Sequence, residues 1–109
     1  MKEWLDVLAT CTGFEWDKNN LSKSWLKHKV NPIESEEIFF HQPFMVVEDV
    51  QHSQKEVRFY ALGKTDTGRL LFVCFTVRKN LIRVISARDM SRKEREVYRQ
   101  YEKEGHSKV

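Results

Sequence analysis

Arg69, Arg78, Arg83 and Arg88 punctuate a stretch, GRLLFVCFTVRKNLIRVISAR over residues 68–88, that is otherwise largely apolar. Arginine is seldom fully buried without a partner. These side chains therefore either emerge at the margins of a sheet or give it a basic surface. One chemistry suits such a surface. RNA is cleaved without a metal when a base activates the 2′-hydroxyl, cations stabilise the phosphorane and an acid protonates the leaving oxygen. Arginine fits the second role because its planar fork of donors meets two phosphate oxygens at once. A single strand also calls for an aromatic ring on which a base can stack. Tyr60, Phe75 and Tyr98 are the candidates. The plainer alternative is structural, with the arginines paired to Glu48, Asp49, Glu56 or Glu94.

Two histidines could move protons. His28 follows Lys27 at an expected helix end, where the pair is either an acid/base element or a dipole-facing cation beside a structural histidine. His52 lies in the polar stretch 49–55 with carboxylates nearby in sequence, and histidine titrates near neutral pH. The four histidines and two cysteines share no ligand spacing such as CxxC or HExxH. There is no glycine-rich phosphate loop and no nucleophile elbow. Neither a metal nor a cofactor is expected.

The 109 residues suit one domain. No apolar run is long enough to cross a membrane, and the N-terminal stretch is a poor signal peptide because Asp6 breaks it. A cytoplasmic protein with Cys11 and Cys74 as free thiols is expected. The net charge of +3 is unevenly spread. Residues 1–54 carry 5 Lys/Arg against 9 Asp/Glu, whereas residues 55–109 carry 14 against 7 and hold all eight arginines. A basic half-chain fits a polyanionic partner; a solvated surface of mixed charge fits it equally well.

These side chains need elements to hold them. Trp4, Leu5 and Leu8 share one side of a short helix ended by Thr12-Gly13. Phe14–Trp16 is a short strand. Asp17 caps a helix over about 18–29 that puts Leu21, Trp25 and His28 on one stripe. Asn31, Pro32 and Glu34 form a capping box with proline at the first helical position. That helix runs to about Phe40, with Ile33, Phe39 and Phe40 inward. Strands follow at 44–47, 56–63, 69–77 and 81–87. Ser91 and Glu94 box the last helix, 92–104, whose apolar stripe is only Val97, Tyr98 and Tyr101. The order β-α-α-β-β-β-β-α defines an α+β domain with a mainly antiparallel sheet. A four-residue loop at 65–68 sets Arg58 opposite Phe75. A two-residue turn at Lys79-Asn80 sets Arg78 opposite Leu81 and Thr76 opposite Arg83. Arg78 and Arg83 then share one face, and Arg58 and Arg88 fall on the other.

Several runs, in order, resemble the BrnT family of bacterial toxins. They are Phe14-Glu15-Trp16-Asp17, Lys27-His28, Glu37 with Phe39, Glu56-x-Arg58, Leu62-Gly63, residues 68–73, Thr76-x-Arg78, residues 82–88 and Glu94-Arg95-x-x-Tyr98. The resemblance covers about residues 14–98. It implies a RelE-like fold and a metal-independent ribonuclease toxin of a type II toxin–antitoxin pair, held inactive by a BrnA-type antitoxin. The complex would bind operator DNA largely through the antitoxin. It also implies catalytic roles for Arg78, Arg83, His28 and Lys27, and RNA contacts from Arg58 and Arg88, to which the residue-level reading adds His52 and Tyr60. Residues 1–13 are then an extension, 14–104 the toxin domain and 105–109 a tail. The chain departs from the family pattern at Lys29, where glycine is usual, and at Ser24, where asparagine is frequent. The lysine matters because a helix ending there calls for a left-handed residue.

Overall fold

The computed structural model of the chain describes residues 4–52 and 55–106. Its elements are α1 (Trp4–Ala9), β1 (Gly13–Phe14), α2 (Lys23–His28), α3 (Pro32–Glu37), β2 (Met45–Glu48), β3 (Arg58–Lys64), β4 (Leu70–Arg78), β5 (Leu81–Asp89) and α4 (Arg92–Tyr101). From β1 onward this is the expected order. The five strands form one sheet in the order β1-β5-β4-β3-β2, antiparallel except where β1 pairs with β5. The side chains of Trp4 and Leu5 lie outside the described part.

Alternation along the strands divides the sheet into two unlike faces. Val46, Phe59, Ala61, Leu71, Val73, Phe75, Val84 and Ala87 form a dry face under Val30, Ile38 and Phe39. The ring of Phe39 meets Phe14, Phe44 and Phe75 at centroid distances of 5.4, 5.1 and 5.1 Å. Phe75 is thus a core residue and not a stacking platform. On the other face α4 covers one end, where Tyr98 packs with Leu62 and Met90. The Tyr98 hydroxyl donates to the Pro43 carbonyl at 2.7 Å, which takes this ring out of the stacking set as well. Burial pushes its phenol far above the ordinary value.

Both capping boxes form, at Asn31/Glu34 and Ser91/Glu94. The helix after Asp17 is shorter than expected. Residues 18–22 are turns, and the Asp17 carboxylate accepts from the Asn19 N–H. Its expected apolar stripe is also overturned. Leu21 and Trp25 are about half exposed, while the polar Asn20 and Ser24 point inward. The reason lies in β5. Strand β1 pairs only with Leu81 and Ile82, so the rest of that edge needs other partners. The Asn20 amide donates to the Val84 carbonyl at 2.9 Å, and the Ser24 hydroxyl accepts the Ala87 N–H at 2.8 Å. Ile33 and Phe40, expected inside, are 67% and 77% exposed.

Lys29 ends α2 in the left-handed region, at φ 57°. What holds it is Arg69. This guanidinium donates to the carbonyls of His28 and Lys29, to Glu34 and, through two donors, to Asp89. One side chain therefore ties the end of α2, the start of α3 and the end of β5 together.

A basic sheet face

Registers decide where the other arginines go. Between β3 and β4 the loop spans residues 65–69, with Gly68 at φ 89° and Thr65 N–H bonded to the Arg69 carbonyl. Within it, the Thr65–Arg69 bond encloses a three-residue turn, 66–68, that ends on the left-handed Gly68. It moves the pairing by one, so Arg58 lies opposite Thr76 and not Phe75. A one-residue slip exchanges faces. At the other hairpin both Lys79 and Asn80 have positive φ, giving the expected turn and the expected Arg78–Leu81 and Thr76–Arg83 pairs. Further along, Cys74 faces Ser86 while Phe75 faces Val84, which leaves Ile85 as a bulge. The bulge reverses alternation in β5, so Arg88, opposite Phe72, joins the same face. The expected split of the arginines into two pairs is therefore corrected: Arg58, Arg78, Arg83 and Arg88 all share the face that carries Tyr60, Phe72, Cys74 and Thr76.

Carboxylates meet these cations. Two donors of Arg78 reach Glu56, each at 2.9 Å. Arg83 forks onto Asp17 at 2.9 and 3.2 Å, with Glu15 at 3.4 Å, and its side chain is only 11% exposed. Arg88 forks onto Glu94 at 2.8 and 3.0 Å. The Arg78, Arg83 and Arg88 guanidinia accordingly hold Glu56, Asp17 and Glu94 below the usual carboxylate range. Glu56 also feels Arg58 and Arg83, so those three arginines and this carboxylate form one cluster near the β4–β5 turn. Cys74 sits on the same face. Burial raises its thiol, and Arg58 and Lys23 oppose that rise.

The Arg88 guanidinium lies 4.1 Å over the Phe72 ring, and Phe72 stacks on Tyr60 at 5.3 Å. Lys27 and His28 are not with the cluster. His28 lies within electrostatic reach of Asp89, six residues beyond Arg83, which is roughly 20 Å along an extended strand. His52 ends a 3-10 turn, Val50–His52, and its side chain lies outside the described part. That turn leaves β2 beside Arg58, since the Asp49 N–H donates to the Arg58 carbonyl at 2.7 Å. Sequence pattern marks Glu56 only as a salt-bridge partner and Asp17 only as a helix cap. Both lie outside the strands, so their ion pairs with Arg78 and Arg83 bring them to this face, whereas Phe72 is placed by alternation along β4. Among the described residues, no group of three or more His, Cys, Asp or Glu side chains is arranged to hold a metal ion, and no helix is long and apolar enough to cross a membrane.

These features define a small α+β domain with arginines aligned on one sheet face, an arrangement suited to a polyanion. The comparisons narrow the class. Residues 16–94 match the family described as the ribonuclease toxin, BrnT, of type II toxin–antitoxin systems, and the chain belongs to that family. The family's substrate is accordingly RNA and its protein partner an antitoxin. No curated protein matched the chain.

Proposed function

We propose that the chain is a metal-independent endoribonuclease toxin with a RelE-like fold, cleaving RNA by attack of a 2′-hydroxyl on the adjacent phosphate. The observation that carries this reading is the convergence of Arg58, Arg78 and Arg83 at one end of one sheet face, with Arg88 and Tyr60 further along it. The scissile phosphate sits between Arg78 and Arg83, whose guanidinia stabilise the phosphorane. Arg58 and Arg88 hold neighbouring phosphates, and Tyr60 takes a base. Asp17 and Glu56 stand where phosphate oxygens bind and give way to RNA. His52, three residues beyond the Asp49 that bonds to Arg58, is the better acid/base group. Lys27 and His28 contact the strand further along. A BrnA-type antitoxin covers this face in the cytoplasm, and the complex meets operator DNA largely through the antitoxin. The toxin domain is residues 14–104.

Inducing the chain alone in bacteria should stop growth and fragment RNA. The purified protein should cleave RNA equally in chelator; loss of cleavage there overturns the metal-free mechanism. An Arg83→Ala variant that stays fully toxic removes that residue from the site. His52→Gln should lower kcat more than His28→Gln, and the reverse order returns the role to His28. A second reading has its own observation, the carboxylate already held by each of Arg78, Arg83 and Arg88. A degenerate toxin that only binds would show steeply salt-dependent RNA affinity and no cleavage.

A further inference from the structure

The basic face is built in rows that run across the strands. Arg58, Thr76 and Arg83 stand side by side. Tyr60, Cys74 and Ser86 form the next row, and Leu62, Phe72 and Arg88 the one after. The first and third rows carry arginine; the middle row carries none. A cation reaches that row from outside the sheet. Lys23 of α2 lies beyond the β5 edge, between Asn20, which donates to the Val84 carbonyl at 2.9 Å, and Ser24, which accepts the Ala87 N–H at 2.8 Å. These two bonds fix the chain on either side of Lys23 against the stretch of β5 that carries Ser86. Its ammonium is within electrostatic reach of Cys74, which sets it toward the middle row and not toward the dry face.

The middle row suits an anion. Each of Arg78, Arg83 and Arg88 already holds a carboxylate, whereas Lys23 is exposed and forms no ion pair among the described residues. The Ser86 hydroxyl likewise has no hydrogen-bond partner among them. A phosphate arriving here therefore displaces no carboxylate. Burial raises the Cys74 thiol, so the floor of the row stays neutral at neutral pH and does not repel the phosphate. Spacing along the sheet also calls for such a place. Arg83 and Arg88 lie roughly 15 Å apart along β5. One nucleotide of RNA backbone is too short to span that distance, so a strand that meets both arginines lays a phosphate over the row between them.

We propose that Lys23 and Ser86 form a phosphate subsite in the middle row, which holds the backbone phosphate of single-stranded RNA that falls between Arg83 and Arg88. The proposal rests on the ribonuclease reading and adds two substrate-binding residues outside the arginine set. The probe is a short 2′-O-methyl RNA oligomer, which lacks the attacking hydroxyl and stays intact, and its affinity is measured against salt. Lys23→Gln should reduce the slope of log K against log salt by about 0.7, the share of one phosphate in a single strand. Lys23→Arg should keep the wild-type slope. Lys103→Gln removes the same charge from an exposed position just beyond α4 and should leave the slope unchanged. Ser86→Ala removes a hydrogen bond to a charged group, so affinity should fall about tenfold at constant slope. Cys74 reports the contact directly. With Cys11→Ser it is the only thiol, and bound oligomer should slow its alkylation by iodoacetamide. A wild-type slope in Lys23→Gln overturns the subsite. So does an equal loss of slope in Lys103→Gln, unaltered affinity in Ser86→Ala, or a Cys74 that RNA leaves unprotected. In each of these cases the wild type still binds, and the ribonuclease reading stands. Failure of the wild type to bind the oligomer sinks that reading, and the subsite with it.

Discussion

Replacing Arg69 by alanine should destabilise this domain more than replacing any arginine of the basic face. The Arg69 side chain is 26% exposed, and its donors reach Asp89, Glu34 and two helix-terminal carbonyls. Removing one partner from a buried ion pair costs about 3–5 kcal/mol. Partial exposure reduces this, so about 2–4 kcal/mol is expected. For a domain of this size that is a fall in Tm of at least 10 °C or so. Arg69→Lys should fall between, because a point charge cannot serve three elements at once. The pH dependence has a definite sign. Hydrogen bonding from Arg69 holds the Asp89 carboxyl below its ordinary 3.8. A carboxylate with a lowered folded pKa contributes stability above its unfolded value and loses it as pH falls through the folded value. The gap between wild type and Arg69→Ala should therefore be constant at neutral pH and shrink only below about pH 4. Calorimetry across that range measures it. A Tm for Arg69→Ala within about 2 °C of wild type at pH 7 would refute the assignment of Arg69 as the tie between α2, α3 and β5.

Other substitutions test other parts of the fold. Gly63→Ala would set a Cβ 2.9 Å from that of Ile38, which is fully buried, so urea unfolding should show a loss of about 1–3 kcal/mol. Lys29→Gly should raise stability by about 1 kcal/mol, since a side chain at φ 57° is strained; an unchanged urea midpoint would contradict this. Asp17→Asn removes the charge facing Arg83. RNA affinity should rise, and Arg83→Ala should instead lower the slope of log K against log salt by about one phosphate contact. An unchanged slope would mean that Arg83 does not meet phosphate.

Features encoded within a few residues were legible in the chain. Asn31-Pro32 with Glu34, and Ser91 with Glu94, form capping boxes because both halves of each box lie three residues apart. Lys79-Asn80 turns as expected because the two left-handed residues sit side by side. The strand order from β2 to β5 followed from apolar runs separated by turn residues, and Arg58, Arg78, Arg83 and Arg88 could be picked out by type. Their common face could not. It depends on a loop one residue longer than expected and on a bulge at Ile85, and each changes the parity of everything beyond it. A period of two carries no memory of which face it began on, so one misjudged residue inverts the surface. The burial of Asn20 and Ser24 was hidden for a related reason. Their partners, Val84 and Ala87, lie more than sixty residues away, and only the unpaired edge of β5 makes polar side chains the right ones to bury. Sequence determined which groups could meet a polyanion. Tertiary structure decided that they share one face, because register and bulge are settled by pairing between strands and not within them.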